Sequence, residues 1–395
     1  MRHLRQYNGV FLKSNLFYAS FIPGLQNLIE EVIGERLADV QIHKLLDGAV
    51  LFETKTSYDK LNFFCFNNVF AVISIMEHAE DSHALEKHVL FKHKLFKHML
   101  FKHVTAAIGG RGNASLCKTA DTEDVIANNS KNFHTFRIVF SHENKPAAID
   151  EKLRIETEKY ISRISGLKVN RSLPDTEFWF LFRREKGSSQ KNFSIFMKRL
   201  TMRPSWEKTL HKGELPPPLA WTLCRLARLS YTDSVLDPFC GYGSIPDAAL
   251  KHFHITNFTA CDNSREAVLY TADRFKKRKN SGFVIHQADF NLLPSLVAEK
   301  SIDAIITDPP WGQFMEINDG AFHEKMFAVF EKLLKDGGRA VVLYANDGAL
   351  VKALPKSFNL QGTVPILLSG KKAAIFQFNL RGNSHGGTET QSDYS

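Results

Sequence analysis

Near the middle of the chain the hydrophobic pattern changes character. Up to about residue 202, apolar runs with a two-residue period alternate with stretches whose apolar positions recur every three or four residues. Leu16–Ile22 and Ala49–Thr54 read as strands, Leu25–Leu37 as a helix, the stretch near Tyr58–Phe66 as a second helix, and the β-branched run Val69–Ile75 as a further strand. The theme then repeats. FHTFRIVF (133–140) predicts a strand, and AIDEKLRIETEKYISRI (148–164) an amphipathic helix. TEFWFLFRRE (176–185) and NFSIFMKRLT (192–201) predict two strands joined into a hairpin by the turn-rich KGSSQK.

From Leu219 onward the text becomes short apolar strands separated by helical segments: SVLD, FTACD, GFVIHQ, IDAIIT and RAVVLY. That alternation predicts an α/β fold with a parallel, doubly wound sheet. FNLQGTVPILLSGKKAAIFQFNL (358–380) reads as a closing antiparallel hairpin, which adds a reversed seventh strand. The domain boundaries expected are 1–104 for an α+β module, 105–202 for a second one, 203–218 for a linker, 219–380 for the doubly wound domain and 381–395 for a disordered tail. Leu116–Lys131 is polar and unpatterned, the mark of a loop. LFKHKLFKHMLFKH (90–103) holds three copies of a pentapeptide. A step of five turns a helix by roughly 140° and flips a strand, so neither element gives its leucines one face. It reads as a cationic Lys/His surface for RNA, as a tolerated repeat expansion or as a helix buried on two sides.

Composition narrows the class. With 395 residues, 44% hydrophobic and 24% charged, the chain has material for two or three soluble domains. It has no long uncharged apolar run, and MRHLRQYNGV lacks the apolar stretch of a signal peptide, so no membrane and a cytoplasmic location are expected. Cys65, Cys117, Cys224, Cys240 and Cys261 show neither CxxC pairs nor zinc-type spacing, which predicts reduced thiols and no metal. A formal net charge of +9 favours a polyanionic partner.

The chemistry begins at SVLDPFCGYGSIP (234–246). A strand ends at Asp237, and Gly241 and Gly243 follow where a backbone must turn before a helix opens. The third glycine of a dinucleotide fingerprint and the GK[ST] of a P-loop are both lacking, so a pyrophosphate is not the favoured guest. In FTACDNS, Asp262 ends the second strand, placed to accept hydrogen bonds from both ribose hydroxyls. Asp289 of HQADF ends the third. Three strand-terminal acids around one crevice suit an adenosine carrying a cationic sulfonium, S-adenosylmethionine.

The fourth strand delivers Asp308, followed by Pro309, Pro310 and Trp311. The prolines fix φ and remove two backbone donors, so the chain leaves the strand as a rigid shelf. An exocyclic amine on an aromatic base is a weak nucleophile. Asp308 and the Pro309 carbonyl are placed to accept its hydrogens, and Trp311 offers a flat face for stacking. Cys240 is a candidate nucleophile for a pyrimidine C5 mechanism, but it sits in the glycine loop.

DPFCGYG followed by CDNS and DPPW resembles the amino-methyltransferases. TFRIVF, IETEKYISRISGLKVN and LPDTEFWFLFRRE are similar to a THUMP domain, and MRPSWEKTLHKGELPPPLAWTLCRLA resembles the linker of THUMP-containing tRNA guanine-N2 methyltransferases. The resemblance covers most of the chain. It implies an N-terminal ferredoxin-like module, a THUMP-like RNA-binding domain and a Rossmann-like, S-adenosylmethionine-dependent domain. It further implies that Asp237, Gly241 and Gly243 border the methionine moiety, Asp262 the ribose, and Asp289 and Phe290 the adenine, with Pro238, Cys240 and Asn263 also in the cofactor site. Asp308, Pro309, Pro310 and Trp311 would then hold the target base. Many members of the family carry Tyr at the place of Trp311. For tRNA contact the candidates are Arg171, Arg183, Arg184, Lys198, Arg199 and Arg203, with His211 and Lys212 in the linker. Methylation of adenine N6, or of a protein glutamine, and a catalytically silent RNA-binding role stay as alternatives. The chain is taken as a monomer, with the need for an activator subunit open.

Overall fold

The computed structural model describes residues 6–7, 10–11, 15–56, 61, 63–78, 134–143, 145–184, 192–201, 210–276, 282–311, 319–345, 348–368 and 370–382. The LFKH repeat, the loop Leu116–Lys131, the turn between the two predicted hairpin strands, and the tail after 382 lie outside these residues. The chain divides into two compact units, 1–21 with 26–203 and 22–25 with 204–395.

The first unit contains β1 (Gln6–Tyr7), β2 (Val10–Phe11), β3 (Leu16–Ser20), α1 (Gln26–Arg36), β4 (Gln41–Leu46), β5 (Ala49–Glu53) and β6 (Asn68–His78). It continues with β7 (Thr135–His142), β8 (Lys145–Pro146), α2 (Glu151–Ser165), β9 (Lys168–Val169), β10 (Thr176–Arg184) and β11 (Asn192–Arg199). The main path of its sheet runs β4-β5-β3-β6-β11-β10-β7-β8. The pattern divides this half into modules 1–104 and 105–202, yet strands from both share one sheet. β6 and β11 pair antiparallel from Asn192↔His78 to Arg199↔Phe70. Both strands are apolar on both faces: Val69 to Ile73 on one and Phe193, Ile195, Phe196 and Met197 on the other are all buried. An edge strand of that kind is covered by pairing, here with a partner more than a hundred residues away. The hairpin of β10 and β11 has the expected register, Phe178↔Lys198 through Arg184↔Asn192. The described residues of the Tyr58–Phe66 stretch form no helix, and the local pattern missed β4. α2 starts where Asp150 Oδ1 accepts from Leu153 N at 3.0 Å and stops at Gly166, whose φ of 73° a glycine adopts without cost.

The second unit contains α3 (Pro217–Leu226), β12 (Ser234–Asp237), α4 (Ser244–His252), β13 (Asn257–Asp262), α5 (Arg265–Phe275), β14 (Gly282–Gln287), a 3-10 turn (Phe290–Leu292) and α6 (Leu293–Leu296). β15 (Ile302–Thr307), α7 (Asp319–Leu333), β16 (Leu334–Ala345), α8 (Ala349–Lys352), β17 (Phe358–Leu368) and β18 (Lys371–Leu380) complete it. The strand order is β14-β13-β12-β15-β16-β18-β17. The first five strands are parallel, and β18 runs antiparallel to both neighbours, the reversed strand expected from the closing hairpin. Strand order reverses between β12 and β15, so a crevice opens at their carboxyl ends.

Behind the crevice lies a phenylalanine-rich core. Phe327 of α7 is wholly buried and meets Phe378 edge-on, with ring centroids 5.4 Å apart and planes at 89°; Phe358 is also 5.4 Å away. Truncating it leaves a cavity that rigid strands cannot close. Phe327→Ala is expected to destabilise this unit by about 3–5 kcal/mol, read as a lower midpoint in denaturant unfolding followed by near-ultraviolet circular dichroism.

Candidate functional site

Each strand that borders the crevice ends in an acid, and three of the four are held by the same local device. Asp237 Oδ1 accepts from Phe239 N at 3.2 Å, Asp262 Oδ1 from Ser264 N at 2.8 Å, and Asp289 Oδ1 from Asn291 N at 2.9 Å. In every case the donor is the backbone amide two residues on, a turn that fixes the carboxylate as the strand ends. Asp308 cannot use it. Two residues on stands Pro310, which has no N–H. Its donor is a side chain instead: Trp311 Nε1 donates to Asp308 Oδ1 at 2.8 Å.

The glycine loop is built to let a ligand approach. Gly243 has φ 83°, and a Cβ there would lie 2.9 Å from the Thr271 methyl. Gly241, at φ 50°, has open space where a Cβ would stand; its N donates to Asp262 Oδ2 at 2.8 Å, and its carbonyl accepts from Thr271 Oγ1 at 3.0 Å. Glu214 and Arg274 brace the loop from outside. Arg274 Nη1 donates to the Tyr242 carbonyl at 3.0 Å and to Glu214 Oε1 at 3.1 Å. The His211 ring lies on Tyr242, centroids 4.0 Å apart and planes at 10°, with Tyr270 edge-on at 4.5 Å. His211 thus packs against the loop, a role its place in the linker did not suggest. Cys240 is buried, its N donates to the Cys261 carbonyl at 2.9 Å, and burial pushes its thiol pKa far up. A thiol held neutral is no nucleophile.

Asp237 is wholly buried. Thr307 Oγ1 donates to its Oδ1 at 2.8 Å, while Oδ2 has no hydrogen-bond partner. Burial, with the nearby charges of Asp262 and Asp308 adding to it, raises its pKa to about 8. Asp308 is half-buried, and burial raises its carboxyl to about 7 against the lowering effect of the indole N–H. An unpartnered buried oxygen among three acids fits a cationic guest, and the partly exposed Asp262 keeps acceptor capacity for hydroxyls. These features match the demands of S-adenosylmethionine. Among the described residues no cluster of three metal-binding side chains occurs.

Phe290 joins Phe239 and Phe322 in a triangle with centroids 4.9 to 5.8 Å apart. It is buried, whereas Asp289 beside it is exposed. Pro309 is buried, and Trp311 packs partly into the core beside Tyr344, centroids 6.4 Å apart. Asn263 is exposed beside Asp262, and Pro238 lies at the start of the loop. Sequence reasoning missed Thr307, Phe239 and Phe322. A threonine closing the apolar run Ala304–Ile306, immediately before the acid, was the available signal.

Several of the RNA-contact candidates are engaged within the first unit. Arg171 is gripped by Glu158 at 2.9 and 2.7 Å and by Glu151 at 2.7 Å. Arg183 is buried and donates to Tyr18 Oη at 3.0 Å and to the Asp47 carbonyl. Arg199 pairs with the buried Glu177 at 3.0 Å, and Lys198 is buried, which lowers its ammonium pKa. Arg171 and Arg199 thus have carboxylates folded against them, which a linear reading does not show. Lys212 is exposed; Arg184 lies on β10, and Arg203 falls outside the described residues.

Raised pKa values carry a stability consequence. Asp237 stays protonated in the folded chain to about pH 8 but ionises near 4 when unfolded, so its contribution is full below pH 4 and lost as pH rises towards 8. Asp237→Asn keeps an acceptor for Thr307 without the charge. Its melting temperature should therefore exceed that of the unsubstituted chain by a margin that widens from pH 5 to pH 8.5 in parallel scanning calorimetry.

Comparison with known proteins points the same way. Residues 204–363 match the family model described as UPF0020: RMKL-like, methyltransferase domain. The chain is 28% identical over 243 residues to tRNA (guanine(10)-N2)-dimethyltransferase of Methanocaldococcus jannaschii, covering 53% of this chain and 62% of that one. It is 31% identical over 186 residues to tRNA (guanine(6)-N2)-methyltransferase of Thermus thermophilus, covering 45% and 54%. The chain therefore spans somewhat over half the length of each relative. The crystal structure of TrmN from Thermus thermophilus superposes with a TM-score of 0.70 at 20% identity, over 92% of this chain and 99% of that one, a likeness of fold. Residues 204–363, which hold the five parallel strands and the acids at their carboxyl edge, are thus similar to the RMKL-like methyltransferase domain family.

Proposed function

We propose that this protein transfers a methyl group from S-adenosylmethionine to the exocyclic N2 amine of a guanosine in tRNA. The observation that carries the reading is Asp308, an acid at the switch point beside the glycine loop, followed by two prolines that offer it no N–H and held by the Trp311 indole through Oδ1. S-adenosylmethionine supplies the methyl group as a cationic sulfonium. The chain's own residues bind and orient. Asp237 and the glycine loop face the cationic end, Asp262 the ribose, and Asp289 and Phe290 the adenine side. Asp308 Oδ2 and the Pro309 carbonyl take the hydrogens of the amine, aligning its lone pair for in-line displacement, and Asp308 is the group to which a proton passes. The first unit, read as an N-terminal module with a THUMP-like domain, supplies tRNA recognition, and the net charge of +9 supports a polyanionic partner. The similarity to two guanine-N2 methyltransferases of tRNA favours guanine over adenine or a protein glutamine.

Incubation with labelled S-adenosylmethionine and unmodified bulk tRNA, followed by nucleoside analysis, tests the proposal. N2-methylguanosine is expected; N6-methyladenosine would replace the guanine assignment, and no label in tRNA would refute it. Asp308→Ala should reduce transfer by at least ~100-fold, the scale of a lost acid–base and positioning group, with cofactor affinity by calorimetry nearly unchanged. Because the reaction needs the carboxylate, the rate should fall as pH drops through about 7.

A further inference from the structure

Asp308 departs from the other three acids in what holds it. Asp237, Asp262 and Asp289 each accept the amide two residues on; at Asp308 that position is a proline, and so is the one before it. The carboxylate is held by the indole N–H of the residue three on, at 2.8 Å. Trp311 is itself anchored. Its ring packs partly into the core, near Tyr344 of β16, and His323 of α7 meets Tyr344 edge-on at 4.9 Å. A donor fixed in the core and aimed at one carboxylate oxygen is a positioning device, distinct from a flat surface for a base.

We infer that Trp311 acts through its N–H: it holds Asp308 by Oδ1 and so presents Oδ2 to the amine of the substrate. The inference rests on the amine-transfer reading for its catalytic consequence, and on the hydrogen bond alone for its structural one. The charged and titratable groups around the pair are Asp237 at the end of β12, whose ionisation the charge of Asp308 opposes, and, beyond the indole, Tyr344 and His323. The indole is the neighbour that favours the carboxylate. Without it, Asp308 is both less fixed and less ionised at neutral pH. Loss of the N–H is therefore predicted to reduce turnover and to move its acid limit upward, with little effect on RNA affinity, whereas loss of a stacking surface would weaken RNA affinity first.

The test separates ring from donor. Trp311→Phe keeps an aromatic face, and replacement of Trp311 by benzothienylalanine keeps the full bicyclic shape with sulfur in place of N–H. With bulk tRNA, both should lower kcat by roughly 10- to 100-fold, the scale of one hydrogen bond to a charged group. KM for tRNA should change by less than about threefold, and the acid limb of the kcat profile should shift up by about one pH unit. In the full chain, the Trp311 indole N–H resonance, identified by its loss in Trp311→Phe, should titrate near pH 7, and Asp308→Asn should abolish that titration. Unchanged kcat and pH profile in the benzothienylalanine variant overturn the inference, as does an indole resonance that ignores pH or is indifferent to Asp308→Asn. No transfer by the unsubstituted chain, with the resonance still titrating, overturns the amine-transfer reading and supports the carboxylate–indole coupling.

Discussion

The second unit depends on one buried hydrogen bond, from Thr307 Oγ1 to Asp237 Oδ1. β12 and β15 are ladder neighbours at Val235↔Ala304 and Leu236↔Ile305, whereas β12 stays paired to β13 through Asp237↔Ala260. Where the β12–β15 ladder stops, a side chain bridges the gap. The same carboxylate oxygen takes the amide of Phe239, so one atom joins the glycine loop to the strand that delivers Asp308. The two halves of the site are thereby fixed to each other at the point where the sheet splits and a ligand can enter.

That joint carries an electrostatic cost. A carboxylate buried without a cationic partner resists ionising, and two more acids within reach add to the resistance. Elsewhere, among the described residues, several buried acids are matched: Glu177 has Arg199 and Arg137, Glu158 has Arg171, and Asp233 has Arg339. At Asp237 such matching is withheld, which is what a site awaiting a cationic ligand requires.

Much of this was legible in the sequence for a physical reason. The strand ends of a parallel sheet fall at the end of each apolar run, so SVLD, FTACD and IDAIIT followed by Asp308 declare their acids by position. The closing hairpin was equally readable, because its alternation and turn are local. What could not be read depends on distant pairing. The β6–β11 ladder joins residues over a hundred positions apart, and it merges two apparent modules into one sheet. The arginines and lysine of the first unit looked like a cationic face because their carboxylate partners, Glu158 and Glu177, or their burial, are set by folding. The pairing of Trp311 with Asp308 lies within four residues, and the sequence still hid it, since a tryptophan offers both a ring and a donor and its neighbours decide which one is used.

The contrast between main-chain and side-chain support for the four acids has an evolutionary consequence. An amide donor is present whatever residue occupies position 239, 264 or 291, provided it is not proline, so those positions can drift while the carboxylates keep their orientation. Asp308 has no such insurance. Its orientation is written in the identity of a single side chain, and the prolines that shape the shelf also remove any backbone substitute. Variation at 311 is therefore coupled to the chemistry at 308 in a way that variation beside the other acids is not.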